Sequence, residues 1–119
     1  MGGDQKEIQE LADEIHASHA ILTALGDEMR LHLILVMLQC GDCNGMRVGK
    51  IAEKTRLSRP AVSHHLQILK RAGIMKIRRE GTKNYYYFDA NMEAFDSLID
   101  MLVHAKKIML ALPDRSGDD

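Results

Sequence analysis

Leu57-Ser58-Arg59-Pro60-Ala61-Val62-Ser63-His64-His65-Leu66-Gln67-Ile68-Leu69-Lys70-Arg71-Ala72-Gly73 is the stretch whose reading decides the fold. Ser58 suits a helix N-cap, and Pro60 falls within the first turn, where its missing N–H costs nothing. Val62, Leu66 and Leu69 recur at three- and four-residue steps, so one side of the helix is apolar. Gly73 fits the position just past the helix end. The other side carries Arg59, Ser63, His64 and Gln67, all able to hydrogen-bond.

The neighbours on both sides complete a pattern. Upstream, Val48–Thr55 predicts a short helix with Val48, Ile51 and Ala52 inward, and Arg56–Leu57 makes the turn. Downstream the period changes from helix to strand. Met75–Glu80 and Asn84–Asp89 predict two strands joined by Gly81-Thr82-Lys83. A short helix, a tight turn, a second helix and a two-stranded wing make a winged helix-turn-helix. The B-DNA major groove admits one α-helix, which reads base edges from its N-terminal turns.

Further out, Glu7–Ala24 is an amphipathic helix through Ile8, Leu11, Ala12, Ile15, His19 and Leu22. Gly26 and Asp27 interrupt it, and Asp27 is a candidate N-cap for a helix over Glu28–Gln39. That helix is apolar on nearly all sides and is expected to be buried at the centre. Cys40–Met46 reads as a loop, and Asn91–Leu112 as the last helix. The expected fold is mainly α with a two-stranded wing, in the order α-α-α-α-β-β-α. It forms a single domain over 1–119, with about 1–6 and 113–119 as flexible tails.

A net charge of −1 conceals a strong segregation. Residues 1–45 carry −6, residues 46–83 carry +9, and residues 84–119 carry −4. A basic block between acidic flanks is what a phosphate-binding surface needs, although a solvated basic face has the same composition. Met1–Glu10 has no apolar run, so no secretory signal is expected. The longest apolar run, Leu33–Leu38, is far short of the ~20 residues of a membrane span. A cytoplasmic protein with no membrane partner is expected.

The expected DNA contacts are Ser58, Arg59, Ser63, His64, His65 and Gln67 at the reading end of the helix. Lys70 lies later and suits phosphate, as does Arg71. Arg78, Arg79, Thr82 and Lys83 form a basic, glycine-bent wing tip suited to the DNA backbone or a minor groove. Plain solvent exposure is the alternative for both histidines, and it weighs more for His65 than for His64. Tyr85, Tyr86 and Tyr87 are expected to be strand residues first. The sequence contains no Ser/His/Asp arrangement, phosphate loop or paired-carboxylate site, so no enzymatic activity is expected. The competing reading is a winged helix that serves as a protein-interaction module without operator binding.

The runs Ala24-Leu25-Gly26-Asp27-Glu28-Met29-Arg30-Leu31, Ile51-Ala52-Glu53 and Leu57 through Ile74 resemble the ArsR/SmtB family of bacterial transcriptional repressors, over roughly residues 20–110. The resemblance implies a homodimer formed by the first and last helices, binding a palindromic operator on double-stranded DNA. It also implies a repressor released by an inducer, often a metal or metalloid. The last-helix apolar stripe separately favours dimerisation.

Two metal patterns of that family are absent. The stretch matching its Cys-x-Cys site is Arg47-Val48-Gly49-Lys50-Ile51, without cysteine. The positions matching its other four-ligand site are Asn91, Glu93, His104 and Lys107, and a protonated lysine has no lone pair for a metal. Cys40 and Cys43 remain. Two thiols at this spacing can hold a soft metal ion or metalloid, form a reversible disulfide, or simply be ordinary cysteines. A metal would need further ligands, such as His16, His19 or His32 or residues of a second subunit.

Overall fold

The computed structural model describes residues 2–42 and 44–113. The chain runs α1 (Gly2–Ala17), α2 (His19–Leu25), α3 (Glu28–Cys40), α4 (Val48–Thr55), α5 (Arg59–Arg71), β1 (Met75–Glu80), β2 (Lys83–Phe88) and α6 (Glu93–Leu110). This is the winged helix-turn-helix with one helix more than expected before the hairpin. The predicted Glu7–Ala24 helix is interrupted at Ser18, which is buried and has φ −92° and ψ 5°. Backbone bonds continue across it, from Ser18 N to Glu14 O at 3.0 Å and from Leu22 N to Ser18 O at 2.9 Å. Helix α1 also begins earlier than Glu7, so residues 2–6 of the expected N-terminal tail are helical. Met1 and residues 114–119 of the expected tails lie outside the described residues.

The helix-turn-helix is built as its sequence dictates. Ile51, Val62, Leu66 and Leu69 are fully buried together with Leu33, Met46, Ile74 and Met75. The turn between α4 and α5 bends through Arg56, which takes the left-handed conformation at φ 63°. Strands β1 and β2 are antiparallel, pairing Met75 with Phe88 through to Glu80 with Lys83. The loop is therefore Gly81-Thr82, one residue tighter than predicted. Gly81 sits at φ 61° in its first position, where glycine carries no Cβ penalty. Met46 adds a short third rung, exchanging both backbone hydrogen bonds with Tyr86 at 2.8 Å.

Helix α3 departs from expectation. It packs on α2 and α4, burying Leu33 and Met37, but Leu31, Leu35 and Leu38 are exposed along the opposite side. A helix apolar all round carries no sequence signal for which side its neighbours cover. Helix α6 is likewise two-sided. Leu98 and Met101 are buried against the domain, while Ile99, Leu102, Val103 and Leu110 face outward.

Candidate nucleic-acid interface

Ser58 fixes where α5 begins. Its backbone is extended and its Oγ accepts the Ala61 backbone N–H at 3.2 Å, so this hydroxyl caps the helix. Pro60 occupies the first turn without leaving an unmet donor. Two faces follow from the 3.6-residue period. Val62, Leu66 and Leu69 lock one face into the core. The other presents Pro60, His64, Gln67, Lys70 and Arg71 to solvent, with the half-buried Ser63 between them. An exposed stripe of hydroxyl, imidazole and amide groups ending in cations is chemically suited to base edges followed by phosphates.

Arg59 and His65 sit on the two margins of that stripe and behave differently. The exposed Arg59 leans over the first turn of α4, its guanidinium 3.0 Å from where a Cβ on Gly49 would stand. It borders an open groove of about 750 Å³ between α4, α5 and the wing, walled also by Arg47, Lys50, Glu53, Thr82 and Asn84. Lys50 is paired with Asp42, whose carboxylate holds its ammonium above the ordinary lysine range.

His65 turns inward. Its Nδ1 lies 3.4 Å from the guanidinium of Arg30, a side chain that is only 8% exposed. The same guanidinium donates to the carbonyl oxygens of Ala24 and Thr23, each at 2.8 Å. Burial lowers the His65 pKa below the ordinary histidine value; Asp27 opposes the shift, and Arg30 and His64 add to it. Asp27 accepts the Arg30 backbone N–H at 3.0 Å, which holds its carboxyl below the usual range.

At the wing, Arg78 is occupied. It pairs with Glu80, donates to the Asn44 carbonyl at 2.9 Å and lies 4.6 Å from the centre of the Tyr85 ring. Arg79, Thr82 and Lys83 are exposed at the tip, and no side-chain partner holds them among the described residues. Tyr86 is buried, and Tyr85 and Tyr87 are half-buried.

Cys40 is half-buried at the end of α3, and Cys43 lies outside the described residues. Among the described residues, no three His, Cys, Asp or Glu side chains are gathered as a metal would require. His104 is instead paired with Glu14 across α1 and α6, at 2.6 Å.

Three residues of this surface were not singled out from sequence. Arg47 and Lys50 entered only in the charge of the basic block and as part of the stretch that lacks the family's cysteines. Arg30 was quoted only within a family signature. The signal available for it was its isolation, as one of two basic residues in 1–45.

The family model described as "Bacterial regulatory protein, arsR family" matches residues 27–76, from the Asp27 cap to the first strand. An uncharacterised HTH-type transcriptional regulator of Methanocaldococcus jannaschii is 41% identical over 83 residues, covering 69% of this chain and 90% of that protein. The transcriptional repressor SdpR of Bacillus subtilis is 33% identical over 84 residues, covering 71% and 87%. Among solved structures, the homodimeric winged helix-turn-helix DNA-binding domain Mb0332 of Mycobacterium bovis superposes with a TM-score of 0.55 at 26% identity, covering 82% of this chain and 84% of that one.

Proposed function

Because the chain belongs to the arsR family of bacterial regulatory proteins, with the winged helix-turn-helix fold of a DNA-binding transcriptional regulator, we propose that it is a dimeric operator-binding repressor. The observation that carries this reading is the solvent-facing stripe of α5, polar and then cationic, opposite a face fixed in the core. Ser63, His64 and Gln67 read base edges; Arg59 and Lys70 hold phosphates. Ser58 contributes chiefly through the cap that positions them. Arg79, Thr82 and Lys83 follow the backbone beyond the major groove, and Arg78 braces the wing.

Dimerisation through the first and last helices is supported by the outward apolar stripe of α6, with Ile8 and Ile15 exposed on α1. A two-fold dimer presents two copies of α5, which fits a palindromic operator. No helix among the described residues is long and apolar enough to cross a membrane, and a cytoplasmic site of action is part of the same proposal. Cys40 and Cys43 are the candidate receivers of an inducing signal, be it a soft metal ion, a metalloid or a thiol oxidant.

Fluorescence anisotropy against the DNA upstream of the protein's own gene tests the operator reading. Tighter binding than to random duplex is expected, weakening steeply with salt. No preference over random duplex overturns it in favour of a protein-interaction module. Operator release by metals, arsenite and peroxide, measured with and without Cys40→Ser and Cys43→Ser, tests the receiver. A double variant that responds like the wild type removes both cysteines from the switch.

A further inference from the structure

We propose that Arg30 and His65 form a positioning pair that sets the rotation of the recognition helix against the α2–α3 corner, so that His65 serves operator binding through Arg30 and not by reading a base. The proposal rests on the operator-binding reading above. Its geometry is a strut. Two of the Arg30 donors are anchored on the last carbonyls of α2, at Thr23 and Ala24, and a third faces His65 on α5. A planar guanidinium fixed at two points holds its remaining N–H groups in a set direction. The core face of α5 is made of Val62, Leu66 and Leu69, which decide the side of the helix that is buried. A polar contact on the margin of the helix adds a directional constraint on its exact rotation. A small rotation of α5 displaces Ser63, His64 and Gln67 together.

The contact needs a particular protonation state. Arg30 can only donate, so His65 Nδ1 must offer its lone pair, with the proton on Nε2. Protonation of Nδ1 places a second donor and a second positive charge against the guanidinium. The groups facing the imidazole among the described residues are Arg30 and Asp27 from α3 and His64 from its own helix. Asp27, whose carboxyl is held below the usual range, counters the Arg30 charge, and it is burial of the imidazole that tips His65 towards the neutral form. The pH sign follows. His65 is neutral in the strut, so operator binding weakens as pH falls through its lowered pKa, which lies below the ordinary histidine value of about 6.5.

The test compares wild type, His65→Asn, His65→Ala and Arg30→Lys by operator anisotropy at pH 7.5 and pH 5.5, each beside random duplex. Asparagine places an amide oxygen near the Nδ1 position and does not titrate. At pH 7.5, His65→Asn is expected to bind within about threefold of wild type, whereas His65→Ala and Arg30→Lys lose about tenfold in operator preference. At pH 5.5, His65→Asn is expected to bind operator more tightly than wild type. Random-duplex affinity and circular dichroism should be unchanged in the folded variants. Three results overturn the proposal: His65→Asn following the wild-type pH profile, His65→Asn losing as much preference as His65→Ala, or Arg30→Lys keeping full preference. If Arg30→Lys fails to fold, the His65→Asn pH comparison decides alone. Wild type showing no operator preference overturns the underlying reading instead.

Discussion

At residue 45 the backbone has no room for a methyl group. Gly45 has φ 108°, and a Cβ there would stand 2.9 Å from Tyr85 Cβ and 3.2 Å from the Tyr86 carbonyl oxygen. The loop after α3 is thereby pressed onto the wing, beside the Met46–Tyr86 bridge and the Arg78–Asn44 bond. Gly45→Ala is expected to destabilise the fold by about 2 kcal/mol, read as a lowered midpoint in urea. Gly41→Ala serves as the control. It is also left-handed, at φ 66°, but a Cβ there meets nothing within 4 Å, so its cost should stay near 1 kcal/mol. Equal costs at the two sites would show that the approach to Tyr85 contributes nothing. The two residues differed little in sequence, because both are glycines in a polar loop. Only the return of β2 beside residue 45 separates them. The Ser58 cap and Pro60, by contrast, were readable directly, since both act within their own first turn. Arg30 could not be read this way, because its partners on α2 and α5 are brought to it by the path of the chain.

At the scale of elements, α4, α5 and the wing followed from periodicity, because each shows one apolar face and one polar face. Periodicity failed on α3, where every face is apolar, and on the long first helix, where a single buried serine divides the rod. It also left open what covers the outer side of α6. Leu102 and Val103 are 53% and 64% exposed there, adjacent in sequence and on one side of the helix. Leu102→Glu combined with Val103→Glu is expected to convert the proposed dimer into a monomer in sedimentation velocity, with the helical circular dichroism of each protomer retained. A variant that sediments as the wild type places the interface elsewhere. The monomer should also bind a full operator at least tenfold more weakly, since one recognition helix then acts without its partner.

Over the whole molecule, charge is arranged by segment. The +9 stretch of residues 46–83 contains α4, α5, β1 and the wing tip, and the acidic flanks contain the helices of the proposed dimer interface. If Arg59, Lys70, Arg79 and Lys83 of each protomer neutralise one phosphate, log affinity falls against log salt with a slope of about −7. Replacing Lys83 by Ala should flatten that slope by about 2 and weaken all duplexes alike. The exposed stripe of α5 is proposed to read bases and not only phosphates. The most direct measurement is the ratio of operator to random-duplex affinity in a Ser63→Ala, His64→Ala double variant at fixed salt. This ratio is expected to collapse by about 100-fold or more while random-duplex affinity changes less than about threefold. Equal losses on both duplexes, leaving the ratio intact, would contradict it.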